Sequence, residues 1–195
     1  MSSQFNVAAL FEDFEPIETE RLLLRPLRAS DAEATFAILK DPEVMRYFGS
    51  PPFTSSDQAV ARCERLILGF EDKSKFRLAL ELKESGQFIG TAGFWKFVPE
   101  HFRAEISYEL SSSHWGKGLM VEALKPMLVR IFDRGLNSVE ANIHPDNIAS
   151  RRVLEKLGFQ LEGVTRDSFY EPYLGVFTDN AIFGLTKSDF VQRNA

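Results

Sequence analysis

A glycine-rich turn, His114-Trp-Gly-Lys-Gly-Leu119, is the segment of this sequence whose residue types most directly predict chemistry. It lies between an alternating segment and a long apolar-rich one, so we place it where a strand ends and a helix begins. Its two glycines let successive backbone N–H groups point at one spot, and the helix dipole adds positive potential there. Such a turn binds phosphate oxygens without a charged side chain. Lys117 is either a further phosphate contact or an idle surface lysine.

Other reactive side chains are few. The three histidines, His101, His114 and His144, show no metal-ligand spacing, so we predict no metal site. A single cysteine, Cys63, excludes an intramolecular disulfide. Its apolar neighbours recur at helical spacing, which places Cys63 in the core.

The composition is that of one ordinary globular domain. The 195 residues are 44% hydrophobic and 26% charged, which excludes a disordered or collagen-like chain. Acidic residues outnumber basic ones by 28 to 23, which argues against nucleic acid as a direct partner. The 18 phenylalanines predict a phenyl-rich core. No apolar run approaches the ~18 residues that a membrane span needs, and the first residues lack a secretory pattern, so we expect a cytoplasmic protein without a membrane partner.

The elements that must position the glycine-rich turn begin with a strand at 21–25. A capping box, Ser30 to Glu33, predicts a helix to about Leu39. Helices are also predicted from Asp41-Pro42 and from Ser55 to about Glu71. Alternation of period two then predicts a three-stranded antiparallel meander, with strands at 76–83, 88–97 and 103–110.

The second half of the chain alternates between helix and strand. We predict a helix, a strand, a helix stopped by Gly158 and two final strands, at 117–133, 139–143, 148–157, 159–169 and 180–186. The strand at 103–110 and the first three of these elements, in the order strand, helix, strand, helix, form a crossover unit. The fold class is therefore α+β, a single domain with a mixed, mainly antiparallel sheet flanked by helices.

The N-terminal residues form a separate segment. Residues 1–19 lack periodicity and mix phenylalanine with acidic residues. We assign residues 1–16 to an N-terminal arm that docks through Phe5, Phe11 and Phe14. The domain proper spans residues 17–195.

Four segments together resemble a known family. They are IETERLLLRPLRASD at 17–31, AEISYEL at 104–110, WGKGLMVEAL at 115–124 and HPDNIASRRVLEKLGF at 144–159. Their combination is similar to the GNAT acetyltransferase superfamily, and within it to the branch that acetylates the N-termini of ribosomal proteins. The resemblance covers roughly residues 17–187. It implies a GNAT-like sheet and acetyl-CoA as cosubstrate.

Carried over by position, the resemblance assigns the contacts to coenzyme A. The pyrophosphate would be bound by the backbone N–H groups of the turn, those of His114, Trp115, Gly116, Lys117, Gly118 and Leu119. The strand end from Tyr108 to Leu110 would hydrogen-bond the pantetheine amides. Asn147 would contact the pantetheine arm, cap the helix that follows it, or do both.

The same resemblance bears on the proton donor. Many relatives place a tyrosine seven residues after the asparagine, to protonate the leaving thiolate. That position is Leu154 here, which has no proton to give. Ser150 resembles the serine of the ribosomal branch, and its hydroxyl would reach the sulfur directly or through water. The alternative is that Ser150 is an ordinary residue of the first helical turn.

The proton acceptor is less well marked. Some relatives carry a carboxylate five residues before the asparagine, but this position is Asn142, and an amide cannot serve as a base. Glu105 and Glu109 share one face of their strand and are candidates through water, unless both form solvated ion pairs; we select Glu105. An α-amine, with a pKa of about 7.7–8.0 in peptides, needs a weaker base than a lysine near about 10.4.

We therefore expect an acyltransferase that moves acetyl from acetyl-CoA to a primary amine, above all the N-terminal α-amine of a ribosomal or other protein. Polyamines or amine-bearing antibiotics are the alternative acceptors. A non-catalytic CoA-binding module is the alternative outside enzymes, since Leu154 and Asn142 replace groups that some active relatives use.

Overall fold

The computed structural model describes residues 4–194, so residues 1–3 of the predicted arm and residue 195 of the predicted domain lie outside the described residues. Within residues 4–194 the strands are β1 (Ile17–Glu18), β2 (Leu22–Pro26), β3 (Phe76–Leu82), β4 (Phe88–Val98), β5 (Arg103–Leu110), β6 (Ser138–Ile143), β7 (Gln160–Glu171) and β8 (Val176–Thr186). The α-helices of the same residues are α1 (Ala32–Leu39), α2 (Pro42–Met45), α3 (Ser56–Glu71), α4 (Leu119–Asp133), α5 (Ile148–Leu157) and α6 (Lys187–Asn194). None of these helices is long and apolar enough to cross a membrane.

All the strands of residues 4–194 join one sheet, in the order β1-β2-β3-β4-β5-β6-β8-β7. Neighbouring strands are antiparallel except for β5 and β6, which are parallel. The predicted mixed, mainly antiparallel sheet and the meander β3-β4-β5 are confirmed. The crossover is confirmed as well, because α4 connects the parallel pair.

The parallel pair separates soon after it begins. Its registered pairs run from Arg103 opposite Ser138 to Glu105 opposite Glu140. Beyond these pairs β5 continues to Leu110 and β6 to Ile143 without pairing to each other. The divergence leaves an opening in the middle of the sheet, with unpaired strand edges on both sides.

The core lies on both faces of the sheet. One face, with Leu78 and Leu80, packs in a large apolar cluster against α4, α5 and α6. The opposite face carries Ala79 and packs against α1, α2 and α3. Cys63 of α3 is 1% exposed in this second cluster, as predicted.

The N-terminal segment packs against the domain. Phe5 and Leu10 are buried, and the rings of Phe11 and Phe14 meet that of Phe76 edge-on at 5.4 Å between centroids. The Arg130 guanidinium of α4 donates to the Leu10 carbonyl at 2.7 and 2.9 Å.

The helix predicted from the Ser30 capping box begins differently. A 3-10 turn, Ala29–Asp31, comes first, and α1 starts at Ala32. The Asp31 carboxylate accepts two hydrogen bonds from the buried Arg25 guanidinium, at 2.8 and 2.9 Å, and one from the Arg28 N–H at 2.8 Å. A tertiary ion pair therefore organises this helix start in place of the predicted cap.

The C-terminal end departs from the prediction in two ways. Strand β8 begins at Val176, four residues before the predicted start, because Val176 to Thr178 pair with Glu171 to Phe169 in a hairpin. Helix α6 follows β8 and was not predicted. Its N-terminus is organised by Thr186, whose hydroxyl accepts from the Asp189 N–H at 3.1 Å and donates to the Asp189 carboxylate at 2.6 Å.

Candidate active site

A cleft of about 1120 Å³ occupies the opening between β5 and β6. One end is formed by the glycine-rich turn and the first turns of α4 and α5. The other end lies between the segment after α2, the middle of β6 and the β7-β8 hairpin. The two ends meet where β5 and β6 diverge.

The glycine-rich turn presents a run of free backbone donors. Gly116 and Gly118 adopt left-handed φ values of +74° and +78°, which only glycine adopts without strain. Within residues 4–194, the N–H groups of residues 116–121 donate to no protein acceptor. A Cβ added at Gly116 would have no protein atom within 4 Å, so the space in front of it is open. This arrangement fits a diphosphate.

The run of free N–H groups, at residues 116–121, begins two residues later than the predicted run at 114–119. The N–H groups of His114 and Trp115 donate to the carbonyls of Ser111 and Ser112 within a 3-10 turn, at 2.9 and 3.2 Å. These two groups are therefore engaged by the protein. The Trp115 indole donates to the Leu110 carbonyl at 2.8 Å, which fixes the turn to the end of β5. Burial, followed by the charge of Lys117, lowers the pKa of His114.

The residues between β1 and β2 anchor this turn from outside. The Glu122 carboxylate in the first turn of α4 accepts from the Thr19 hydroxyl at 2.6 Å and from the Arg21 N–H at 2.8 Å. The Arg21 side chain also donates to this carboxylate and to the Lys117 carbonyl. Burial favours the neutral acid, but these hydrogen bonds outweigh it and hold the pKa of Glu122 below its ordinary value.

Three predicted residues meet beside the turn. The Asn147 side chain accepts from the Ser150 N–H at 3.0 Å and so caps α5. The Ser150 hydroxyl lies 2.7 Å from the Tyr108 hydroxyl. Burial raises the pKa of Tyr108, so this phenol stays protonated at neutral pH. Leu154, one turn further along α5, is fully buried in the core.

Glu105 faces the other end of the cleft. It lies on the opposite face of β5 from Tyr108. Its carboxylate contacts the Lys96 ammonium at 2.9 Å and accepts from the Asn142 amide at 3.2 Å. The same amide donates to Glu140 at 2.7 Å, while the Asn142 carbonyl oxygen accepts from Asn180 at 2.7 Å. Asn142 thus links the two diverging strands to the hairpin.

Glu109 has a different environment from Glu105. It is 7% exposed and is held by the guanidinium groups of Arg62 and Arg77 and by the Thr91 hydroxyl. Burial favours its neutral form, but the two guanidinium charges outweigh burial and lower the pKa of Glu109. Both readings left open for Glu109, a base reached through water and a solvated ion pair, are corrected here to a buried ion-pair network.

Two parts of the cleft were missed by the sequence patterns. The Tyr47 ring stacks on His144 with centroids 4.9 Å apart, which brings the segment after α2 against the loop after β6. The hairpin supplies Phe169 and Glu171. No local sequence pattern predicts a role for these residues, because the sequence at the hairpin tip is typical of a loop and Tyr47 follows a short helical turn. Among residues 4–194, no group of three or more His, Cys, Asp or Glu residues is placed to hold a metal ion.

Comparisons with known proteins agree with this fold and cleft. Residues 21–160 match the family model described as acetyltransferase (GNAT) domain. The chain is 35% identical over 175 residues to the uncharacterized N-acetyltransferase YoaA of Bacillus subtilis, covering 89% of this chain and 98% of that protein.

Two solved structures have the same fold. A GNAT-family acetyltransferase from Bacillus anthracis superposes with a TM-score of 0.80 at 23% identity, over 89% of this chain and 99% of that one. A ribosomal L7/L12 alpha-N-protein acetyltransferase in complex with coenzyme A gives a TM-score of 0.77 at 22% identity, over 88% and 98% of the two chains.

Fold, cleft and sequence matches together define an acetyl-CoA-dependent acyltransferase. The chain belongs to the GNAT acetyltransferase family. The resemblance to this superfamily that the four sequence segments indicated is confirmed.

Proposed function

We propose that this enzyme transfers acetyl from acetyl-CoA to a primary amine, the N-terminal α-amine of a protein being the expected acceptor. The observation that carries the proposal is the run of free N–H groups at residues 116–121, which opens on the same cleft as the Ser150 hydroxyl and the Glu105 carboxylate. A phosphate-binding turn, a proton donor and a proton acceptor are the groups that acetyl transfer requires.

The end of the cleft beside the glycine-rich turn is suited to bind coenzyme A. The free N–H groups of the turn, at the positive end of the α4 dipole, suit the pyrophosphate of coenzyme A. The unpaired edge of β5 around Tyr108 is available to the pantetheine amides. Asn147 uses its carbonyl oxygen to cap α5, which leaves its NH₂ group to donate to the pantetheine arm.

The proton donor we assign is Ser150. When the amine attacks the thioester carbon, a C–N bond forms, the C–S bond breaks, and the departing thiolate takes a proton. Tyr108 stays protonated and shares a hydrogen bond with the Ser150 hydroxyl, which gives its proton to sulfur and regains one from water in the cleft. Leu154 is buried and carries no proton, which leaves Ser150 as the hydroxyl of α5 that lines the cleft.

The proton acceptor we assign is Glu105, acting through water. Its carboxylate lies 2.9 Å from the Lys96 ammonium and lines the cleft, and a carboxylate is a weak base. A weak base suits an acceptor that is already partly neutral, and the α-amine of a peptide, with a pKa of about 7.7–8.0, meets this condition better than a lysine side chain near about 10.4.

Acetyl-CoA-dependent thiol release tests the proposal. The acceptors are a peptide with a free N-terminus and no lysine, the same peptide with a blocked N-terminus and one lysine, and a small monoamine. We expect turnover with the first and little with the second. Turnover confined to small amines would favour the alternative that the enzyme acetylates small molecules. Coenzyme A binding without thiol release on any acceptor would favour the non-catalytic module.

A further inference from the structure

Among the described residues, the cleft contains one carboxylate side chain that the reaction does not use and that has no protein partner. Glu171, at the end of β7, is only 5% exposed and lines the cleft. Within residues 4–194 its side chain has no hydrogen bond and no ion pair. Among the described residues, the buried side-chain polar atoms without a partner are Arg62 Nε and Trp95 Nε1, so the Glu171 oxygens reach the open cleft, where they can accept hydrogen bonds from a cationic ligand.

Every other carboxylate at this end of the cleft has a protein partner. Glu105 contacts Lys96, and Glu140 contacts Arg103 at 3.3 Å. Asp179 accepts from the Asp167 N–H at 3.0 Å. The lining cations do not pair with Glu171: Arg65, Arg152 and Lys156 are exposed, and Lys75 is half-buried.

Several residues near Glu171 in the hairpin line the same cleft. Residues 169 and 171 share a face of β7. The Phe169 ring packs against Gly49, where it fills the space that a Cβ would occupy. Thr178 pairs with Phe169 across the hairpin, and Asn180 continues the same face to Asn142. An aromatic ring beside a carboxylate is a favourable environment for an ammonium or guanidinium group.

The reacting amine is not the expected occupant. It must lose a proton before it attacks the thioester, and Glu105 is the carboxylate assigned to receive that proton. A second cation that keeps its proton leaves this step unaffected. Glu171 therefore suits a positive group that stays protonated throughout the reaction.

We propose that Glu171 is a specificity residue that binds a second positive charge on the acceptor, so that the enzyme selects acceptors with a cation near the reacting amine. This inference rests on the proposed function and narrows its substrate class. In a peptide the cation would be a basic side chain close to the N-terminus. In a small acceptor it would be the second amine of a diamine.

Matched acceptor pairs test this specificity. One pair is diaminobutane against butylamine, and the other is a peptide with lysine against norleucine beside an N-terminal alanine whose α-amine is free. We expect kcat/KM to favour the charged member of a pair by about tenfold or more. Glu171→Gln should reduce this preference to about twofold, without changing kcat/KM for the uncharged member or the KM for acetyl-CoA.

The control is Glu162→Gln, the same change on the exposed part of β7 outside the cleft, which should leave the preference intact. A wild type that does not discriminate within the pairs, or a preference that survives in Glu171→Gln, would overturn the inference. Thermal unfolding of both variants shows whether they are folded.

A binding measurement separates this inference from the proposed function. Diaminobutane is titrated into the enzyme with coenzyme A bound, and heat is measured without any turnover. If diaminobutane binds the wild type but not Glu171→Gln, the inference is supported. If in addition no acceptor is acetylated, the proposed function is wrong while the inference stands. Turnover on N-terminal amines that is insensitive to charge and to Glu171 supports the function and overturns the inference.

Discussion

The hydroxyl of Tyr108 lies 2.7 Å from the hydroxyl of Ser150 and joins β5 to the first turn of α5 at the centre of the cleft. The N–H of Ser150 is held at the same time by Asn147. Backbone and side chain of Ser150 are therefore both fixed, and the buried phenol stays protonated because its pKa is raised. This pair gives the most direct tests of the proposed chemistry.

Ser150→Ala should lower kcat while leaving the KM for acetyl-CoA nearly unchanged, because it removes only the proton for the thiolate. The expected loss is at most about a hundredfold, the lower range of general-acid effects, since water can replace the hydroxyl. Thiol release and thermal unfolding are measured on one preparation. A kcat within about twofold of wild type, with a lower melting temperature, would instead assign Ser150 to packing.

Tyr108→Phe should reduce kcat by a smaller factor, because it removes one hydrogen bond that orients Ser150. A hydrogen bond worth about 0.5–1.5 kcal/mol corresponds to a loss of about two- to twelvefold. If Tyr108 acts through Ser150, the double variant Ser150→Ala, Tyr108→Phe should be no slower than Ser150→Ala alone. Additive losses in kcat would show that the two hydroxyls act independently.

Gly116→Val should weaken coenzyme A binding by about 1–3 kcal/mol, because it places a branched side chain in a left-handed conformation and in the open space before the free N–H groups. Gly86→Val is the matched control: Gly86 has φ +68°, also faces open space, and does not line the cleft. Coenzyme A titration of both variants checks the difference. If both variants are folded and bind coenzyme A with equal affinity, the glycine-rich turn is not part of the coenzyme A site.

Glu109→Gln should destabilise the fold by about 3–5 kcal/mol, because it leaves the guanidinium groups of Arg62 and Arg77 without their buried counter-charge. Glu155→Gln, in an exposed pair with Arg151 on α5, should cost about 0.5 kcal/mol or less. Urea unfolding compares the free energies of the two variants. Similar small losses would mean that the network around Glu109 is accessible to water.

Acidification should loosen the anchor of the turn through Glu122. Its folded-state pKa is lowered, so its stabilising contribution is complete above the unfolded value of about 4.3 and is lost as pH falls through the folded value. Glu122→Gln should therefore reduce unfolding free energy at neutral pH and flatten its decline in acid. An identical pH dependence in variant and wild type would contradict this linkage.

Local signals account for the parts of the fold that the sequence determined. Helix α5 spans the predicted residues because Asn147 caps one end and Gly158, with φ +97°, ends the other. Strands β3 and β5 follow from alternation, and the glycine-rich turn from its residue types. These signals act between residues a few positions apart, so they can be read along the chain.

Tertiary structure decided what the cleft contains. Glu105 and Glu109 are four residues apart on one strand face and equivalent by pattern, but Arg62 from α3 and Arg77 from β3 bury Glu109, while β6 and the hairpin leave Glu105 facing the cleft. Asp31 likewise bonds Arg25 in place of serving the predicted cap. Burial and ion pairing depend on which distant segments come into contact, and no short-range pattern in the sequence specifies those contacts.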